Sequence, residues 1–106
     1  DLILLGMGDD GHTASLFPGQ AVLEEQNKWV DAYYLEPQKM YRITLTAPLI
    51  NKANKIVVIA FGEKKAPALK EVTTGTYNPA LYPMQLIKPV SGELLFLVDK
   101  SAAGTN

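Results

Sequence analysis

The sequence predicts an α/β fold with a mostly parallel, Rossmann-like sheet flanked by helices, forming the C-terminal portion of a larger α/β domain. Short apolar runs at residues 2–7, 56–61 and 94–98 are typical of strands buried on both faces. Helical patterns lie between these runs, and this alternation favours α/β organisation over a bundle or a sandwich. Glycines close the first two runs, at the carboxyl edge where α/β folds place ligand-binding loops.

The first element is the strand at residues 2–7, and the loop that follows it carries most of the chemistry. Three glycines, two carboxylates and the chain's one histidine lie in this loop, namely Gly6, Gly8, Gly11, Asp9, Asp10 and His12. Residues 13–17 predict a short helical turn capped by Thr13, which Pro18 and Gly19 end at once. We therefore expect a functional site at the end of this strand.

The middle of the chain predicts two more strands and a helix. Residues 28–35 form the second strand, and residues 40–46 alternate, with Tyr41, Ile43 and Leu45 on one face and Arg42, Thr44 and Thr46 on the other. A threonine followed by Ala-Pro is typical of a helix start. We expect this helix to be capped by Thr46, to bury Ala53 and to end at Asn54.

The remainder predicts a central strand, a helix, an irregular segment and a last strand. The β-branched run at residues 56–61 is the central strand, and the helix covers about residues 64–72. Pro67 fits only near the start of that helix, because proline has no N–H to donate. Residues 75–89 hold three prolines and predict irregular structure before the strand at residues 94–98.

Length and composition narrow the class of protein. The chain has 106 residues, is 47% hydrophobic and carries a net charge of −1, which is typical of an ordinary globular domain. This near-neutral charge gives no support to nucleic-acid binding, and no apolar stretch approaches the length of a membrane span. The absence of cysteine excludes disulfides and favours a reducing compartment, so we expect a cytoplasmic protein.

The residues at the two ends of the chain suggest that the sequence is part of a longer protein. The sequence opens on a strand without a preceding methionine or turn, and it closes on Ser-Ala-Ala-Gly-Thr-Asn, a composition typical of a fraying terminus. We therefore expect residues 1–106 to be one domain that is the C-terminal part of a longer protein or a trimmed domain, with the N-terminal half absent.

The glycines match the dinucleotide fingerprint G-x-G-x-x-G only in form. That fingerprint needs a full helix opening at the third glycine to receive the pyrophosphate, and Pro18 ends the helical pattern too early. Asp9 and Asp10 would also repel a pyrophosphate. Taken locally, the glycines could equally make a tight turn and His12 could be an ordinary surface residue. Ser15 lacks the sequence context of a nucleophile.

The segment from Leu5 to Gly19, read as LGMGDDGHTASLFPG, resembles the signature of the 6-phosphogluconolactonases, a family grouped with the glucosamine-6-phosphate deaminases/isomerases. The resemblance continues through four later segments, Arg42-Ile-Thr-Leu-Thr, Asn51-Lys-Ala, Gly62-Glu-Lys-Lys-Ala and Leu97-Val-Asp-Lys-Ser-Ala-Ala, and through residues 83–89. It implies hydrolysis of a phosphorylated sugar lactone without a metal or organic cofactor. Separately, we expect the complete enzyme to be a monomer.

The resemblance also suggests roles for individual residues. His12 is the expected general base that activates water, since an imidazole with its ordinary pKa of about 6.5 suits that task at neutral pH. Asp10 is expected to orient it, and the backbone of Gly8 and Gly11 to contact the substrate. Lys65, at a helix start, is the candidate for the phosphate, and Arg42 for a second phosphate or carboxylate contact. Locally, Lys65 and Arg42 could also be solvated surface residues.

Two alternatives remain open at this point. The deaminase/isomerase branch carries a glutamate five residues after the histidine, where this chain has Phe17, so the lactonase branch is favoured. The second alternative is a catalytically incomplete, non-enzymatic fragment. We expect the isolated chain to be weakly active or inactive, because half of the site would be supplied by the missing N-terminal half.

Overall fold

The computed structural model describes residues 1–104, so Thr105 and Asn106 of the predicted fraying terminus lie outside the described residues. The strands run in the order β1 (Leu2–Gly6), β2 (Val30–Leu35), β3 (Met40–Leu45), β4 (Lys55–Ala60) and β5 (Glu93–Val98). The helices are α1 (Ala47–Ile50), α2 (Ala66–Thr74) and α3 (Lys100–Ala103), and short 3-10 turns lie at Ala21–Glu24, Glu36–Gln38, Glu63–Lys65 and Pro83–Leu86.

A three-stranded parallel sheet forms the centre of the fold. Its strand order is β1-β4-β5, so the strand predicted to be central is flanked on both sides. Gly6 of β1 lies opposite Ile59 of β4, which in turn lies opposite Leu97 of β5. The carboxyl ends of all three strands therefore meet at one edge, and the loop after β1 begins beside the end of β4. This confirms the predicted α/β class.

The two faces of this sheet differ sharply in burial. Ile56 and Val58 of β4 are fully buried on the face that packs against the hydrophobic core, which includes Leu69 of α2. On the opposite face the leucines and isoleucines are exposed, namely Leu2, Leu4, Ile59, Leu95 and Leu97. The prediction that these strands are buried on both faces is therefore wrong within residues 1–104, where only one face is covered. The exposed residues alternate with buried ones because successive side chains of a strand point to opposite faces. The site lies at the carboxyl edge between these two faces.

Strands β2 and β3 form a separate antiparallel hairpin, in which Tyr33 lies opposite Arg42. The alternation predicted for β3 is present, but its polar side is the inner one. Thr44 is only 3% exposed, whereas Tyr41 and Ile43 are largely exposed. Arg42 is therefore half-buried and does not occupy the exposed strand position that its local sequence allowed. The hydroxyl and guanidinium groups on this side instead contact the loop after β1.

Residues 13–17 do not form the predicted helical turn. Thr13 and Leu16 pair in an isolated antiparallel bridge, and Ala14 takes a positive φ of 50°. The Thr13 hydroxyl donates a hydrogen bond to the carbonyl of Gly6 at 2.8 Å, so it fastens the loop to the end of β1 instead of capping a helix. Tertiary hydrogen bonds have here replaced the local helical ones.

Helix α1 is also shorter than predicted. Thr46 stands at its N-cap position, but its hydroxyl donates to the carbonyl of Lys28 at 2.6 Å and makes no cap. The helix ends at Ile50, four residues before Asn54, the predicted end. The side-chain amide of Asn51, directly after the helix, donates to the carbonyl of Leu86 and so connects this turn to the irregular segment.

Helix α2 fits the sequence closely, whereas α3 includes residues 101–103, which were expected to fray, so that expectation is wrong for these three residues. Helix α2 begins at Ala66 with Pro67 in its first turn, where the missing N–H removes no hydrogen bond. Helix α3 follows β5 directly, and Asp99 caps it by accepting a hydrogen bond from the N–H of Ala102. The same carboxylate accepts from the N–H of Gly62, and these two bonds hold the pKa of Asp99 below its ordinary value. Within residues 1–104, no helix has the length and apolar character needed to cross a membrane.

Candidate active site

The loop after β1 is shaped by hydrogen bonds between its own backbone groups. The N–H of Gly8 donates to the carbonyl of His12 at 2.8 Å, and the N–H of Gly11 donates to the carbonyl of Gly8 at 3.0 Å. Gly11 takes a φ of +83°, which only glycine adopts without strain. These bonds turn the chain back on itself within five residues. They also occupy the N–H groups of Gly8 and Gly11, so any contact of these glycines with a substrate stays a prediction.

Asp10 and His12 form the closest pair in this loop. The Nδ1 atom of His12 lies 2.6 Å from Oδ1 of Asp10, and the backbone N–H of His12 donates to the same oxygen at 3.1 Å. Because an ionised carboxylate only accepts hydrogen bonds, Nδ1 carries the proton of the neutral imidazole. The Nε2 atom is then the basic nitrogen. The His12 side chain is 26% exposed, so a water molecule can approach it.

The hydrogen bonds from His12 also set the charge state of Asp10. Partial burial would raise the pKa of Asp10, but the side-chain and backbone hydrogen bonds from His12 outweigh it and leave this pKa below its ordinary value. Asp10 is therefore a carboxylate at neutral pH. It can orient the imidazole and stabilise its protonated form without taking up the proton itself.

Lys65 reaches the same loop from the neighbouring strand. It lies in the 3-10 turn between β4 and α2, and its Nζ atom is 2.9 Å from Oδ1 of Asp9. The two adjacent aspartates thus have separate partners, since Asp10 contacts His12. The lysine is half-buried, whereas Lys64 is exposed. The structure therefore brings the predicted phosphate ligand to the loop that carries the predicted base.

Phe17 is a site residue whose contact with His12 the sequence did not predict. Its ring stacks on the imidazole of His12, with centroids 4.1 Å apart and planes inclined by 21°. The guanidinium carbon of Arg42 lies 5.2 Å from the centre of the same ring. The only sequence signal was an aromatic residue five positions after the histidine, and such spacing does not predict a contact in an irregular loop.

Ser15 connects this loop to the hairpin through three hydrogen bonds. Its N–H donates to the hydroxyl of Thr44, its carbonyl accepts from the Tyr33 hydroxyl at 2.6 Å, and its Oγ atom accepts from Nε of Arg42. Burial raises the pKa of Tyr33, so this hydroxyl stays a donor at neutral pH. Ser15 is buried and engaged in structure, in agreement with the absence of a nucleophile motif.

The predicted site residues therefore all lie in or contact the loop after β1, although different contacts bring them there. Asp10, His12, Gly8 and Gly11 share one loop, Lys65 joins it through Asp9, and Arg42 reaches it through Ser15 and Phe17. Across residues 1–104, the acidic side chains and the histidine form no group of three that could hold a metal ion. The arrangement presents a basic imidazole nitrogen and two cations at one edge of the sheet.

Comparisons with known proteins identify the family and the fold of the chain. Residues 1–96 match the family model described as glucosamine-6-phosphate isomerases/6-phosphogluconolactonase. The chain is 43% identical over 102 residues to a 6-phosphogluconolactonase of Synechocystis sp., covering 96% of this chain and 41% of that protein. It is similar to the 6-phosphogluconolactonase structure from Trypanosoma brucei, with a TM-score of 0.84 and 31% identity, covering 98% of this chain and 41% of that one.

A further structural relative shows how far the fold is shared. A monomeric glucosamine-6-phosphate deaminase is similar with a TM-score of 0.78 and 19% identity, covering 100% of this chain and 48% of that one. This likeness concerns the fold alone. The chain spans about 40% of the length of the curated relatives that it matches.

The Gly8→Ala variant should displace His12. A Cβ atom on Gly8 would overlap Cε1 and Nδ1 of the imidazole, so the ring must leave its hydrogen bond to Asp10. We expect a large change in the NMR resonances of His12, the chain's one histidine. Gly6→Ala is the matched control, because nothing lies within 4 Å of a Cβ atom there. Unchanged His12 resonances in Gly8→Ala would contradict the geometry of this loop.

The contribution of Asp10 to stability should depend on pH. Because its pKa is lowered in the folded protein, the carboxylate stabilises the fold above its ordinary pKa of 3.8, and this is lost as the pH falls through the folded value. In urea unfolding, Asp10→Asn should have a lower free energy of unfolding than the wild type at neutral pH. The difference should shrink below about pH 4. A difference that is constant with pH would refute this.

Proposed function

We propose that the complete enzyme hydrolyses 6-phospho-D-glucono-1,5-lactone to 6-phosphogluconate, since the chain belongs to the glucosamine-6-phosphate isomerase/6-phosphogluconolactonase family. This reaction is a step of the oxidative pentose phosphate pathway. Relatives called 6-phosphogluconolactonase or probable 6-phosphogluconolactonase, at 39–43% identity, support this choice. Among the contacts in the site, the short hydrogen bond between Asp10 and His12 carries the proposal.

This hydrogen bond suits His12 to the role of general base. It holds the proton on Nδ1, leaves Nε2 free to accept one, and supplies a carboxylate to stabilise the imidazolium. A lactone carbonyl is electrophilic enough for attack by water once a base takes the water's proton. No covalent enzyme intermediate is needed, in keeping with the structural engagement of Ser15.

The reaction then proceeds in two steps. Water attacks C1 of the lactone while Nε2 of His12 takes its proton, and a tetrahedral oxyanion forms. When this intermediate collapses, the bond between C1 and the ring oxygen breaks. The imidazolium returns the proton to that oxygen, which becomes the C5 hydroxyl of the product. The product carboxylic acid ionises in solution, and His12 is neutral again.

Lys65 is the proposed ligand of the substrate phosphate. Its ammonium already lies against the carboxylate of Asp9, 2.9 Å away, so a phosphate group would share or replace that partner. Arg42 is a second proposed contact, from the hairpin side of the loop. The backbone of Gly8 and Gly11 is a further proposed contact, although His12 and Tyr82 already occupy the space that a Cβ atom would fill at these glycines.

The rest of the site belongs to the complete enzyme. The chain spans about 40% of the length of its relatives, and we propose that segments outside these 106 residues supply further ligands for the lactone and its phosphate. A monomeric enzyme in the cytoplasm, acting without a metal or organic cofactor, is part of the same proposal. The deaminase reaction is disfavoured because Phe17, which has no ionisable group, stands where the deaminase branch carries glutamate.

The His12→Gln variant of the complete enzyme should lose most of its activity. Removal of the base is expected to lower kcat by about a hundredfold or more. The measurement is the initial rate of 6-phosphogluconate formation above the spontaneous rate, with circular dichroism as the control for folding. Near-normal turnover in this variant would remove His12 from the mechanism. Release of ammonia from glucosamine 6-phosphate by the wild type would instead favour the deaminase reaction.

The Lys65→Met variant should weaken substrate binding more than turnover. Loss of one charge-assisted contact is worth about 1.5–3 kcal/mol, so KM should rise at least tenfold while kcat changes little. Lys64→Met is the matched control, since it removes the same charge from an exposed neighbour. We expect its KM to stay within about twofold of the wild type. Equal effects of the two variants would show that Lys65 has no specific contact with the phosphate.

A further inference from the structure

We propose that Phe17 is a positioning residue for His12, and that the hairpin β2–β3 acts on the base through it. This inference rests on the proposed role of His12 in lactone hydrolysis. Phe17 has no group that can take part in the chemistry, yet its ring lies 4.1 Å from the imidazole and nearly parallel to it. It is 8% exposed, so the surrounding structure holds it firmly.

The hydrogen bond to Asp10 alone leaves one freedom of His12 unrestricted. It fixes the position of Nδ1, but the imidazole can still tilt about the line that joins Nδ1 to the carboxylate oxygen. A planar ring stacked on one imidazole face removes that tilt, because stacking holds the two planes close to parallel. Asp10 and Phe17 therefore constrain the base in two different directions. Together they determine where Nε2 points.

The hairpin keeps Phe17 in place. Arg42 of β3 lies over the ring at 5.2 Å, a separation at which a guanidinium attracts an aromatic face. The Nε atom of Arg42 also donates to Oγ of Ser15, two residues before Phe17. The backbone of Ser15 is held in turn by Tyr33 and Thr44. Both hairpin strands thus anchor the segment that carries the ring.

This arrangement gives Arg42 a role besides any contact with substrate. The contact with the Phe17 ring and the hydrogen bond to Ser15 hold the Arg42 guanidinium beside the loop after β1. Movement of the hairpin would therefore be transmitted to the imidazole plane through a single aromatic side chain. A merely space-filling Phe17 would stabilise the fold but would leave the orientation of His12 to Asp10 alone. The two cases differ in measurable ways.

Phe17→Leu tests the proposal, because it keeps an apolar side chain and removes the planar ring. NMR spectra of the chain should show the carbon-bound imidazole protons of His12 moving downfield, since the ring current of Phe17 no longer shields them. His12 is the chain's one histidine, so its signals are identified directly. In the complete enzyme kcat should fall by about 10- to 100-fold with little change in KM. Phe17→Tyr should restore both the imidazole signals and kcat.

Leu16→Val is the control for a simple loss of packing. Leu16 is fully buried beside Phe17 but is not stacked on His12, so its truncation should lower stability without moving the imidazole signals. Arg42→Gln is a second variant that leaves the aromatic core intact. It should shift the same His12 protons in the same direction by a smaller amount. This variant keeps the proposal testable even if Phe17→Leu does not fold.

The outcomes separate this proposal from the proposed function. His12 signals that are unchanged in both Phe17→Leu and Arg42→Gln would overturn the positioning role, whatever reaction the enzyme catalyses. A normal kcat for Phe17→Leu in an active enzyme would also overturn it. Absence of lactone hydrolysis by the wild-type enzyme would instead refute the proposed function, and the NMR result would still decide whether the Phe17 ring stacks on His12 in solution.

Discussion

The carboxyl ends of β1 and β4 lie side by side because these strands pair in parallel, with Gly6 opposite Ile59. The place of the glycine loop in the fold, and its contact with Lys65, depend on this pairing. It sets the glycine loop after β1 beside the turn after β4, and so allows Lys65 to reach Asp9 although the two residues are far apart in sequence. An antiparallel arrangement would put the two segments at opposite edges of the sheet. The same edge is where parallel sheets commonly carry their ligand sites.

The loop after β1 keeps its shape without regular secondary structure. Its buried polar groups must find partners, since an unsatisfied one would cost roughly 1–3 kcal/mol. Thr13 satisfies the carbonyl of Gly6, and the hairpin supplies the partners of Ser15 through Thr44 and Tyr33. The hairpin therefore has a polar inner side for a physical reason, because it packs against a loop with backbone groups to satisfy.

The site combines rigidity with access. His12 is constrained on one edge by Asp10 and on one face by Phe17, yet a quarter of its side chain is exposed. The two aspartates divide their functions, since Asp10 faces the imidazole and Asp9 faces Lys65. A base must be held in one orientation and must still be reached by water, and this loop meets both conditions through contacts on different sides of the ring.

Sequence patterns predicted those features of the fold that depend on contacts between residues close together in the chain. The apolar runs predicted β1, β4 and β5, the Thr-Ala-Pro sequence predicted the start of α1, and the position of Pro67 fitted the first turn of α2. The spacing of Asp10 and His12 was enough to predict their pairing, because two residues in a tight glycine loop cannot move far apart. The motif at the end of β1 also led to the family, which the comparisons confirmed.

Other features depended on contacts between segments that are distant in the chain. The helical turn predicted for residues 13–17 does not form, because Thr13 makes a hydrogen bond to β1 and Ser15 makes one to the hairpin. The inward polar side of β3, the pairing of Lys65 with Asp9 and the stacking of Phe17 on His12 have no local signal. The sequence by itself determined the strands of the parallel sheet, the glycine loop and the choice of His12 as the candidate base. Only the tertiary structure decided which groups surround that base, because hydrogen bonds and ring contacts depend on where separate segments pack.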